Sequence, residues 1–179
     1  MTNEVPVVGL SAEYHIAIGV ITVNGAIMDQ LVDTAIWMVM KLPPERGITI
    51  TKLIANTSRK IKFLRDLVEP MLENDQLKAD FHDVFSKLKS AQANRSKIVH
   101  AKWLFKHDDL SVHIEVPASD ETQPAVEAMP LSQLQRYMTE TVTAHTALEE
   151  FFLRVEIKQG TTGEHSWPPR FEGRQFREK

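Results

Sequence analysis

A chain of 179 residues, 42% hydrophobic and 25% charged, has the composition of a soluble globular domain with enough apolar surface for one core. Its formal net charge of -3 supplies no global field toward nucleic acid or anionic membrane, so any polyanion site must be a local patch made by folding or by pairing of subunits. Cysteine is absent, which excludes disulfides, thiolate catalysis and cysteine-based zinc sites.

The segment from Met1 to Pro6 lacks the basic start and apolar run of a secretory signal, and a cytoplasmic location is expected. A first helix is predicted from Ser11, whose hydroxyl can cap it, to Leu42, where Pro43 and Pro44 stop it. Tyr14, Ile18, Ile21, Met28, Val32, Ala35 and Val39 form one apolar stripe. Val20, Ile27, Leu31 and Met38 form a second, off that face. A helix apolar on two sides needs cover on two sides, from further helices or another subunit. Asn24, Asp29, Gln30 and Asp33 interrupt the run, so a buried soluble helix is expected and no membrane span. Gly19 and Gly25 lower helix propensity and permit a close approach of backbone.

A second helix is predicted over Thr51–Leu72, with Leu53, Ile54, Ile61, Leu64, Leu67 and Val68 inward and Pro70 disturbing its last turn. Lys52, Arg59, Lys60, Lys62 and Arg65 make it the most basic element. A third helix is predicted over Asn74–Trp103, striped by Leu77, Phe81, Val84, Leu88 and Ala91, and then by Arg95, Ile98 and Lys102. Lys102–Lys106 and Leu110–Val116 read as a hairpin around His107, Asp108 and Asp109. Pro117–Pro130 reads as a loop. A fourth helix is predicted from Ser132 to Lys158 on Leu134, Tyr137, Met138, Val142, Leu148, Phe151, Phe152 and Val155. The expected fold is all-α: an up-and-down four-helix bundle over residues 1–158, with a small β-hairpin between the third and fourth long helices. Residues 159–179 form an irregular C-terminal tail, mixing Trp167, Phe171 and Phe176 with Arg170, Arg174 and Arg177, and are expected to pack on the bundle or on a partner subunit.

Arg95 breaks the pattern informatively, since a cation on the inward stripe is costly unless an anion, a carboxylate or water meets it. One reading is structural, with Arg95 paired to Asp29 or Asp33 of the first helix. The other is chemical. Arg95-Ser96-Lys97-Ile98-Val99-His100 resembles the R-x4-H signature of the HEPN superfamily of helical bundles. The context is similar too: a long helix leading in, Trp103 three residues after His100, then a hairpin and a last long helix. The likeness covers Ser11 to Lys158 and its sharp motif Asn94 to Trp103. Ser96 stands where active members often carry Asn, Asp or His, and Ala101 where Gly is frequent.

The resemblance implies RNA cleavage of the toxin or defence type without metal or cofactor, in which the ribose 2′-hydroxyl attacks the adjacent phosphate. His100 would move the proton and Arg95 would hold the phosphate, with Asn94, Ser96, Lys97 and Lys102 as supporting donors. The chemistry of the side chains agrees: imidazole titrates near pH ~6.5, and guanidinium is a permanently charged fork matched to phosphate oxygens. Five helical residues turn Arg95 and His100 roughly 140° apart, so a homodimer with the site at or beside its seam is expected. RNA, and an antitoxin or other protein, are the implied partners. A catalytically silent HEPN-like dimerisation, adaptor or nucleotide-sensing module is the alternative, and a structural helical protein with no ligand is the third. His15, His82, His107, His113, His145 and His165 show no HExxH or paired spacing, so no metal site is expected.

Overall fold

The computed structural model describes residues 5–6, 10–72, 74–106, 111–116 and 125–159. The C-terminal tail, the Asp108-Asp109 turn and most of the segment 117–130 lie outside the described residues, and with them the expectations placed there.

The protein is mostly helical with a small antiparallel sheet. Helix α1 spans Ala12–Val39. Ser11 takes the cap position, but its hydroxyl donates to Glu13 Oε2 at 2.5 Å instead of receiving a backbone N–H. At the other end Lys41 adopts φ 53, and the Leu42 N–H reaches back to the Trp37 carbonyl at 2.8 Å, which closes the last turn. α1 thus ends at Val39 and not at Leu42, in the turn at Lys41 ahead of the two prolines, and Pro44 opens a new helix, since its missing N–H is unneeded in a first turn.

That new helix is a larger departure from the predicted elements. α2 runs Pro44–Lys52 and α3 runs Thr57–Val68, where one helix was predicted from Thr51 to Leu72. The reason is local: the Asn56 side chain accepts the Arg59 N–H at 3.0 Å and starts α3 afresh. Pro70 then sits in a single 3-10 turn, Glu69–Met71. Asn74 caps α4, Asp75–His100, by accepting from Gln76 and Leu77 N–H. α4 stops at His100, not Trp103, because Ala101 is extended and leads straight into a strand.

Strands β1 (Val5–Pro6), β2 (Lys102–Lys106), β3 (Ser111–Val116) and β4 (Ala125–Ala128) form one antiparallel sheet in that order. The hairpin is present, with Leu104 opposite His113 and Trp103 opposite Ile114. β4 lies in the stretch expected to be loop, pairing Glu127 with Ile114. α5, Leu131–Gln159, is the last of the described elements.

α1 lies against α2, α3, α4 and α5, and α4 lies against α3 and α5. Asn94 meets Glu140 while Asp80 meets Arg154, so α4 and α5 run antiparallel. The core has two parts. One, beside the sheet, joins Ala17 and Ile21 of α1, Ile98 of α4, Ile114 of β3 and Met129, Leu134 and Tyr137. The other, at the far end, is centred on Phe81, Phe151 and Phe152, with Phe81 and Phe151 rings 5.1 Å apart.

Candidate active site

The two cores are separated by a layer that all three long helices build at matching positions. On α1 Gly25 stands between Ile21 and Met28; on α4 Arg95 stands between Ala91 and Ile98; on α5 Thr141 stands between Tyr137 and Ala144. Each would be an apolar core position by its three-four spacing. Thr141 turns its hydroxyl onto the Tyr137 carbonyl at 2.8 Å, and so satisfies itself within its own helix. Arg95 does not.

The Arg95 side chain crosses α1 at Gly25. A Cβ built on Gly25 would lie 2.2 Å from Arg95 Cδ and 2.5 Å from Nε. Arg95 Nε is buried without a hydrogen-bond partner, while the terminal nitrogens reach solvent. Among the described residues no carboxylate lies within ion-pair distance of the guanidinium. Asp29 and Asp33, the partners that a structural role would use, are both held by Lys60 of α3, at 3.5 and 2.8 Å. A buried donor left unpaired is destabilising by about 1–3 kcal/mol, more when charged, so Arg95 is held in this seam at a cost.

His100, the last residue of α4, is exposed and has no bonded partner among the described residues. The two motif side chains therefore leave α4 in different directions, Arg95 into the seam with α1 and His100 outward. One subunit does not bring them together.

Three of the four supporting donors are committed elsewhere. Asn94 Nδ2 donates to Glu140 Oε2 of α5 at 2.7 Å. Lys97 pairs closely with Glu127 of β4. Lys102 does not continue the inward stripe of α4; it lies on β2, exposed, 3.3 Å from Glu115 of β3. Ser96 is exposed on α4. The two lysines are thus answered by Glu127 and Glu115 and the Asn94 amide by Glu140, three glutamates that the sequence pattern had not singled out. Glu115 and Glu127 come close only through the sheet register, which no spacing along the chain reveals. Gly25 carried a readable signal, a glycine on an apolar stripe. What it admits is a side chain, not a neighbouring backbone, whereas Gly19 has nothing within 4 Å of the equivalent point.

The basic face of the expected second helix is divided in the same way. Lys60 turns inward to α1, and Arg65 binds Asp66 at 2.7 Å and lies 5.1 Å from the centre of the Phe85 ring. α1 is long and apolar enough to span a membrane, and a third of its most apolar window is buried in the fold. On its outer side Ile16 and Val23 are 63% and 60% exposed, with Val20 and Ile27 completing a stripe at three-four spacing.

Comparison with protein-family models, with curated proteins and with solved structures gives no match to this chain.

Proposed function

We propose that the protein is a HEPN-like, metal-independent endoribonuclease of the toxin or defence type, acting as a homodimer. In this reading α1, α3, α4 and α5 are the four bundle helices of that family. The observation that carries it is the state of Arg95: buried at Nε, open at its terminal nitrogens, and without a carboxylate although two lie on the helix it crosses. A guanidinium held so has a phosphodiester as its natural counter-ion.

The chemistry then follows from two subunits. Arg95 of one subunit grips the non-bridging oxygens of the phosphate. His100 of the facing subunit accepts the proton of the ribose 2′-hydroxyl as its oxygen attacks phosphorus. The bond from phosphorus to the 5′-oxygen breaks, and the proton passes to that leaving oxygen, giving a 2′,3′-cyclic phosphate and a free 5′-hydroxyl. The outer stripe of α1, Ile16, Val20, Val23 and Ile27, supports a second copy as the cover that this helix lacks.

A second reading, a catalytically silent HEPN-like dimerisation, adaptor or nucleotide-sensing module, is favoured by one observation. Asn94, Lys97 and Lys102 are each engaged by a glutamate, which leaves little surplus charge around His100.

The deciding experiment is cleavage of a mixed RNA pool by the purified protein in EDTA, beside Arg95→Ala and His100→Ala. Loss of cleavage in both variants, with a cyclic phosphate at the product ends, supports the ribonuclease. RNA left intact by the wild type sinks it in favour of the silent module. Cleavage undiminished in the variants traces the activity to a contaminant.

A further inference from the structure

We infer that Gly25 of α1 is the positioning residue for Arg95, the missing side chain that fixes where its guanidinium lies. The inference rests on the ribonuclease reading for what Arg95 grips, but not for how it is held.

Gly25 is buried in the middle of a 28-residue helix, where glycine is less favourable than alanine. The helix bears that disadvantage because the space of a side chain at 25 is already occupied. Arg95 Cδ, Nε and Cγ would stand 2.2, 2.5 and 3.2 Å from a Cβ there. The core positions one turn away on each helix are apolar: Ile21 and Ile98 toward the sheet, Met28 and Ala91 toward the far end. The stem thus lies over Gly25 between two apolar core layers, with Nε buried.

The nature of the obstructed group decides what a substitution does. At Gly47 a Cβ would meet the Trp37 indole at 2.3 Å, a rigid ring in the α1–α2 contact. At Gly25 it meets the outer half of a flexible chain, which can swing aside while the helices stay packed. Gly25→Ala should therefore keep the fold and lose the orientation of Arg95.

The test combines three measurements on the full chain. In the first, thermal unfolding of Gly25→Ala, Arg95→Ala and the double variant gives a cycle. With Arg95 absent the alanine raises Tm through helix propensity; with Arg95 present it gives no rise or a fall. In the second, the Arg95 Nε–H resonance, assigned by its loss in Arg95→Ala, exchanges slowly in the wild type and is shifted or lost in Gly25→Ala. In the third, Gly25→Ala lowers kcat for RNA cleavage by roughly 10- to 100-fold with KM little changed, as expected when a group is moved by about an ångström.

Equal Tm changes in both backgrounds, or an unaltered Nε–H signal in Gly25→Ala, overturn the slot. A non-additive cycle with unchanged kcat overturns the positioning role and reduces the contact to packing. A wild type that cleaves no RNA sinks the ribonuclease reading alone, because the cycle and the resonance still decide whether Gly25 fixes Arg95.

Discussion

Asp33 of α1 and Lys60 of α3 meet at 2.8 Å, and the same ammonium lies 3.5 Å from Asp29, so one lysine answers both carboxylates of the helix that Arg95 crosses. All three side chains are largely withdrawn from solvent. Both carboxylates face Lys60, and neither forms an ion pair with Arg95.

The pair also sets a pH dependence. Burial raises the Asp33 pKa above the ordinary carboxylate value, against the hydrogen bond and charge of Lys60, while the neighbouring Asp29 adds to the rise. The short ion pair alone would suggest the opposite, but desolvation is the larger influence. The folded state therefore holds this proton more tightly than the unfolded chain. Its contribution to stability is fully present below the unfolded carboxylate pKa and is lost as pH rises through the folded one. Asp33→Asn should flatten that part of the stability–pH curve and cost little at pH 7, since Asp29 still faces Lys60. Lys60→Met should cost about 2 kcal/mol at pH 7, between the exposed and buried limits for breaking an ion pair. Urea unfolding of the three proteins across the acidic range checks both; a Lys60→Met variant as stable as wild type at pH 7 would refute the seam's dependence on that cation.

The outer stripe of α1 gives a prediction on assembly. Val23 is 60% exposed on the outer side of α1, so Val23→Lys should leave Tm of the isolated subunit almost unchanged. If a second copy covers the stripe, the same change places two like charges in an apolar contact and shifts the protein from dimer to monomer. Sedimentation velocity at matched concentrations reads this directly. A wild type already monomeric at high concentration would remove the shared site.

How far these features could be read in advance differs by scale. α4 and α5 were legible because their apolar residues recur at helical spacing over 26 and 29 residues and are bounded by an asparagine cap and a proline. The division of the second helix was not, because Leu53 and Ile54 continue the apolar pattern across the break that Asn56 makes. Leu53 is in fact 82% exposed. β4 was hidden in a segment rich in proline and acids, its four residues defined by pairing to β3 and hardly by their own composition. In the site, the inward position of Arg95 followed from periodicity alone. That Lys102 would leave the helix, and that glutamates from three other elements would meet Lys97, Lys102 and Asn94, depended on tertiary register and could not.

Tyr14 ties the start of α1 to the other end of the sheet. Its hydroxyl donates to the Met129 carbonyl at 3.0 Å, and its ring meets Trp103 edge-on at 6.4 Å between centroids. Met129 in turn donates its N–H to the Val112 carbonyl at 2.8 Å, so one residue links α1, β3 and the entry to α5. Tyr14→Phe keeps the ring contact and removes only the hydrogen bond, which should cost about 1 kcal/mol. Tyr14→Ala should cost roughly 3 kcal/mol or more by adding a cavity beside Trp103. Urea unfolding measures both, and equal losses in the two variants would show that the hydroxyl carries the whole contribution.

The glutamates around the motif offer the sharpest separation between an active and a silent protein. Lys97 is bound by Glu127 across the α4–β4 contact, and both side chains retain some access to solvent. Glu127→Gln keeps a hydrogen-bond acceptor for Lys97 but removes the opposing charge, so the ammonium becomes available to a phosphate without collapse of the contact. If RNA lies against this end of α4, affinity for a non-cleavable 2′-O-methyl RNA should rise several-fold. The slope of log Kd against log salt should also steepen by about one counterion. Fluorescence anisotropy at three salt concentrations gives both numbers. The control is Glu149→Gln, a charge change of the same sign far along α5, which should move neither. Should Glu127→Gln and Glu149→Gln behave alike, the polyanion does not reach Lys97, and the charge pairing beside His100 belongs to the architecture of the sheet and not to substrate binding.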